Sequence, residues 1–159
     1  MTKEEKQIYD KAYSFAEKMH SGQKRIGGEP YITHPKAVAD MMIKEDLPIE
    51  YVLTALFHDL LEDTKAEESQ ILELGGEEVL KAVKLLTKEK GYNMSEYVSR
   101  IRNNPIAFKV KGADRLHNLK SAFCASKEFK KHYIEETSEW YTDFSPEIPK
   151  ALNELKKSF

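Results

Sequence analysis

At 159 residues the chain has the length of one domain, and a domain of that size buries enough surface for a core without staples. Its 27 acidic and 25 basic residues leave a formal net charge of −2, so charge of both signs covers the surface and no general attraction to nucleic acid is expected. The single cysteine, Cys124, has no partner for an internal disulfide, no run nears the roughly 18 apolar residues of a membrane span, and Met1 to Asp10 lacks the apolar core of a secretory signal. A reducing, cytoplasmic setting without a membrane partner is the expectation.

Helical periodicity dominates, and the expected class is all-α. Ile8, Ala12, Phe15, Ala16 and Met19 recur at steps of three and four, which puts them on one side of a first helix. Gly22, Gly27, Gly28 and Pro30 then punctuate a loop, and Thr33 before His34-Pro35 reads as an N-cap, so a second helix is predicted to start close to His34. Pro48 opens an apolar helical segment from Ile49 to Leu61, and Gly75-Gly76 and Gly91 separate two further helices. Pro105 starts a helix running to about Ala122, Glu128 to Tyr141 is again helical in pattern, and Pro146 and Pro149 precede a short terminal helix.

The segment Tyr51 to Thr64, YVLTALFHDLLEDT, carries the most chemistry. Read as one continuous helix, it gathers His58, Asp59, Glu62 and Asp63 within an arc of roughly 140° and sets Leu53, Leu56, Phe57, Leu60 and Leu61 mostly opposite. An ordinary solvated face favours Lys and Glu over an adjacent His-Asp pair. Imidazole with carboxylate suits a divalent transition metal, and a hydrolytic site needs several protein ligands with positions left open. Two more candidates stand elsewhere: His34 at a helix start, and Asp114 in KGADRLHNL, four residues before Asn118 and so on its helical face. Taken singly, His34 reads as a capping or partly exposed histidine, and Asp114 as the salt-bridge partner of Arg115 or Lys111. His20 reads as an imidazolium at a helix C-terminus, His117 as lying off the Asp114 face, His132 as surface, Cys124 as buried packing, and Trp140-Tyr141 as packing.

In the order H…HD…D, the residues His34, His58-Asp59 and Asp114 resemble the signature of the HD superfamily of metal-dependent phosphohydrolases. The longer segments AYSFAEKMHSGQKRIGGEPYITHP, ALFHDLLEDT, KGADRLHNL and YIEETSEWY, in that order, are similar to the hydrolase domain of the RelA/SpoT family over about Ala12 to Tyr141. The resemblance implies a single helical HD-type domain over residues 1–159, like the small alarmone hydrolases. It implies that His34, His58, Asp59 and Asp114 hold one manganese ion, that Glu62 and Asp63 position and activate water, and that Arg25 and Asn118 line the nucleotide site. The implied reaction is hydrolysis of guanosine tetraphosphate or pentaphosphate to GDP or GTP and pyrophosphate. Two departures from the family pattern are Ile26, where many relatives have a second basic residue, and Gly112 in KGADR. A different nucleotide phosphate as substrate (a dinucleotide 2′-phosphate or a nucleoside monophosphate) and a binding module without turnover are the alternatives, the intact Glu62-Asp63 pair speaking against the second.

Overall fold

Both ends of the first amphipathic segment are secured, and it forms α1 (Lys3–Met19). Thr2 accepts from the Glu5 N–H while the Glu5 side chain accepts from the Thr2 N–H, a reciprocal cap that satisfies two of the orphan amides of the first turn. The computed structural model describes every residue from Met1 to Phe159. After α1 the chain crosses a loop closed by one isolated bridge between Lys24 and Pro30 and enters α2 (Thr33–Lys44). Thr33 does not cap α2, contrary to the expectation from sequence. It already lies within the helix, and its hydroxyl donates 2.8 Å to the Pro30 carbonyl, tying the helix to the loop before it.

The apolar segment becomes α3 (Ile49–Phe57), whose residues from Val52 to Phe57 are all buried. The helix does not run on unbroken to Leu61. The backbone turns at His58-Asp59 and resumes as the single turn α4 (Leu60–Asp63). Helices α5 (Glu68–Gly75) and α6 (Glu77–Leu86) meet at Gly76, whose φ of 88° lies in the left-handed region that glycine adopts without a Cβ penalty. Next come α7 (Met94–Arg102) and α8 (Pro105–Ser121), then a 3-10 turn (Ala122–Cys124), α9 (Lys127–Trp140) and α10 (Ile148–Lys156). Asn104 caps α8 by accepting from the Ala107 N–H, and Pro105 begins it without needing an amide partner.

No strand forms, and the fold is all-α as expected. One cluster of 33 buried apolar residues draws on all ten α-helices. At its middle α2, α3 and α8 pack against one another, so the start of α2, the end of α3 and the centre of α8 are neighbours. No helix is long and apolar enough to cross a membrane.

Candidate metal centre

The break after α3 has a local chemical cause. In an uninterrupted helix the Ala55 carbonyl would accept from the Asp59 N–H. Here it takes the His58 ring instead, with Nδ1 at 2.6 Å. A carbonyl only accepts, so Nδ1 carries a proton, and Nε2 is the ring nitrogen turned toward the interior. That nitrogen faces Oδ2 of Asp59 at 3.1 Å and Oδ1 of Asp114 at 3.3 Å. From the start of α2, His34 Nε2 reaches Asp114 Oδ1 at 2.7 Å and Asp59 Oδ2 at 3.9 Å. Ligand atoms of His34, His58 and Asp59 lie within 4.8 Å of one another, and Asp114 joins them through these contacts.

A nitrogen lone pair pointing at a carboxylate oxygen is repulsive unless a positive charge sits between them. A proton satisfies one such contact, whereas a divalent cation satisfies all four side chains together, and two imidazoles with two carboxylates suit a transition ion. The electrostatics agree. Burial alone would push His58 down, but the carboxylates of Asp59 and Asp114 outweigh it and hold the imidazole well above its ordinary value. Burial would raise Asp59, yet the His58 charge brings it to about 2. Asp114 is likewise held well below the usual carboxylate range despite its burial, by the Lys111 ammonium and by the imidazoles of His34 and His58 beside it. The residues therefore fit a divalent ion on the chemistry of the donor set.

Asp114 does pair with Lys111, whose Nζ is 3.4 Å from Oδ2, while Oδ1 faces the histidines. Arg115 goes elsewhere, to Glu136 at 2.6 Å, its guanidinium held between the rings of Tyr133 and Tyr141. The salt bridge expected from sequence thus engages Oδ2 alone and leaves Oδ1 facing His34 and His58.

The loop between α1 and α2 supplies the next layer. Arg25 donates from Nη2 to Asn118 Oδ1 at 2.8 Å and from Nη1 to His117 Nδ1 at 3.0 Å, so the two candidate substrate residues are joined directly. The Asn118 amide donates to Asp114 Oδ1 at 3.3 Å. Glu62 and Asp63 stand on the exposed rim in α4. The Glu62 carboxylate accepts from the Lys88 N–H at 2.7 Å, which ties α4 to the loop after α6. Desolvation, then the carboxylates of Asp59 and Glu62, push the Asp63 carboxyl up to about 6.

Four residues differ from what the sequence suggested. His117 touches the site: its Nδ1 is 2.8 Å from His34 Nδ1 and its ring stacks on His34, while burial and the nearby His34 and Arg25 bring it down to about 4. Its place one turn of helix after Asp114 is a signal for it, but helical spacing alone does not show which neighbouring helix a side chain meets. Tyr31, which no sequence pattern singles out, donates its hydroxyl to Asp59 Oδ2 at 2.6 Å. His20 is not an exposed imidazolium; it is buried, lowered by that burial, and its ring packs tilted against Tyr31. Its Nδ1 meets Gln23 Oε1 at 2.9 Å, and Gln23 in turn donates to the Asp63 carbonyl at 2.8 Å. Cys124 is exposed, because it lies in the short turn after α8 where the chain leaves the core. His132 is on the surface and Tyr141 is in the core, as expected.

The HD domain family matches residues 12–146. Over 139 residues the chain is 36% identical to a guanosine-3′,5′-bis(diphosphate) 3′-pyrophosphohydrolase of Aquifex aeolicus, and over 148 residues it is 34% identical to a GTP pyrophosphokinase of Myxococcus xanthus. These matches cover 82% and 84% of this chain and 20% of each relative, so the chain spans about a fifth of the length of the curated relatives it matches. A solved metazoan orthologue of SpoT, described as hydrolysing ppGpp and playing a role in starvation responses, has a TM-score of 0.73, with 94% of each chain covered at 21% identity, and so shares the fold. The family match extends from before His34 to beyond Asp114, and the chain belongs to the HD domain family.

Proposed function

We propose that residues 1–159 form one HD-type hydrolase domain that removes pyrophosphate from the 3′ position of guanosine 3′,5′-bis(diphosphate) or its pentaphosphate form. The products are GDP or GTP, and the setting is cytoplasmic. The observation that carries this reading is the convergence of His34, His58, Asp59 and Asp114 on one point beside the joined pair Arg25 and Asn118. The names of the Aquifex aeolicus relative and of the metazoan structure support the choice of nucleotide.

In this reading His34, His58, Asp59 and Asp114 hold one manganese ion per chain. The ion, when bound, lowers the pKa of water and polarises a phosphoryl oxygen. The side chains do the rest. A carboxyl near 6, as at Asp63, exchanges a proton with water close to neutral pH, and Glu62 beside it helps to raise that carboxyl. Water oxygen bonds to the phosphorus attached to the 3′ oxygen, the bond between them breaks, and a proton passes to the departing 3′ oxygen. Arg25 turns its guanidinium fork from Asn118 and His117 to the phosphates, a geometry that suits two oxygens at once. Beside it a cavity of about 280 Å³, lined by Arg25, Ile26, Thr33, His117 and Ser121 among others, offers the nucleobase an apolar rim at Ile26 and a hydroxyl at Ser121.

The test is product chromatography after incubation of the purified protein with manganese and guanosine tetraphosphate. GDP and intact pyrophosphate are expected, with no transfer of pyrophosphate from ATP to GDP, and Asp59→Ala should lose both bound metal and turnover. Release of single orthophosphates, preference for a nucleoside monophosphate or a dinucleotide 2′-phosphate, or no turnover of any of these would overturn the assignment.

A further inference from the structure

His117 stands between two groups with different tasks. Its Nδ1 is 3.0 Å from Arg25 Nη1 and 2.8 Å from His34 Nδ1. A guanidinium has only donors, so the nitrogen it addresses must present its lone pair, and His117 carries its ring proton on Nε2. His34 Nδ1 faces that same lone pair, so His34 must bring the hydrogen. The chain of bonds therefore leaves Nε2 of His34 unprotonated, and Nε2 is the atom that faces Asp114 Oδ1 at 2.7 Å. Arg25, 92 residues from His117 in sequence, selects the tautomer of a histidine it does not touch.

An imidazole nitrogen has one lone pair, and here two donors share it. Each bond is weaker than it would be alone. We propose that His117 is a positioning residue coupling Arg25 to His34: when a phosphate draws Arg25 away, His34 gains sole use of the His117 lone pair and becomes the stronger ligand. A hydrogen bond to the far nitrogen of a ligating histidine fixes the ring and raises its basicity, and the loss of such a partner costs about 10–100-fold in metal affinity. Linkage makes the effect reciprocal, so a tightly held ion also releases Arg25 toward anions. The inference rests on the reading of His34 as a metal ligand, but not on the identity of the substrate.

Two substitutions separate hydrogen bonding from packing, because the His117 ring also stacks on His34 at 5.0 Å between centroids. His117→Phe keeps a ring and removes the acceptor, whereas His117→Asn keeps an acceptor and removes the ring. Titration calorimetry with manganese alone, without nucleotide, is expected to show affinity reduced by about 10–100-fold in the Phe variant and largely kept in the Asn variant. Arg25→Ala should tighten manganese binding more in the His117 protein than in the Phe variant, by roughly threefold or more. Thermal melts confirm folding, and His117→Leu replaces the Phe variant if the larger ring is not accommodated. Wild-type affinity in the acceptor-free variant, or an equal effect of Arg25→Ala in both backgrounds, would overturn the coupling. Since no nucleotide is present, the result stands apart from whether guanosine tetraphosphate is hydrolysed.

Discussion

The hydroxyl of Tyr31 donates to Oδ2 of Asp59 at 2.6 Å, joining the α1–α2 loop to the turn after α3. Burial and the Asp59 carboxylate hold this phenol protonated, far above its ordinary range, so it remains a donor at any pH the protein meets. It fixes the carboxylate that also faces His58 at 3.1 Å. Tyr31→Phe keeps the ring against His20 and removes only the donor. Manganese affinity by calorimetry should fall by about 10–100-fold with the melting temperature little changed. Unaltered affinity would reduce Tyr31 to a packing residue.

Glu62 holds the Lys88 N–H at 2.7 Å. Gln in its place offers the same carbonyl oxygen to that amide, so the tie between α4 and the loop after α6 survives while the charge is lost. Metal content should match wild type and turnover should fall by roughly 10²–10⁴-fold, the usual weight of acid-base assistance. Full activity in Glu62→Gln would remove Glu62 from the chemistry.

Asp63 opposes folding at neutral pH. Its carboxyl sits at about 6 in the folded chain against 3.8 as the ordinary value. Between those values the native state keeps a proton that the unfolded state has lost, so stability falls as pH rises through this window and the deficit persists above it. In chelator, Asp63→Asn should raise the melting temperature near pH 7.5 and leave it unchanged near pH 3.5. A variant that is no more stable at neutral pH would contradict the raised carboxyl.

Gly112, one of the two departures from the family pattern, has a packing role. A Cβ built there would come within 2.5 Å of the Phe144 carbonyl oxygen and 3.1 Å of its carbon, and backbone cannot rotate out of the way. The chain after α9 crosses directly over α8 at this point. Gly112→Ala should cost about 1–3 kcal/mol in chemical denaturation, the range for forced overpacking, despite the better helix propensity of alanine. A neutral or stabilising result would mean that the 141–146 turn shifts freely.

Periodicity is enough to reveal the helices, because an apolar stripe at steps of three and four is a local property of the chain. Ile8 to Met19 is legible for that reason, while Pro105 marks the start of α8, and the helical pattern from Glu128 to Tyr141 falls within one residue of α9 at each end. His34, His58, Asp59 and Asp114 stand out because uncommon residue types sit in recognisable short segments, and the structure brings the four together. The interruption at His58-Asp59 is hidden in the sequence, since it depends on a side chain competing with its own backbone for the Ala55 carbonyl. Tyr31 and His117 are hidden for a different reason. Their partners lie 28 and 83 residues away, and a phenol or an imidazole has no pattern of its own until packing decides what faces it. Residue type and local spacing thus determined which groups could do chemistry, while only the packing of α2, α3 and α8 decided which lone pairs meet, because hydrogen bonds act over about 3 Å and the sequence does not specify distances across the core.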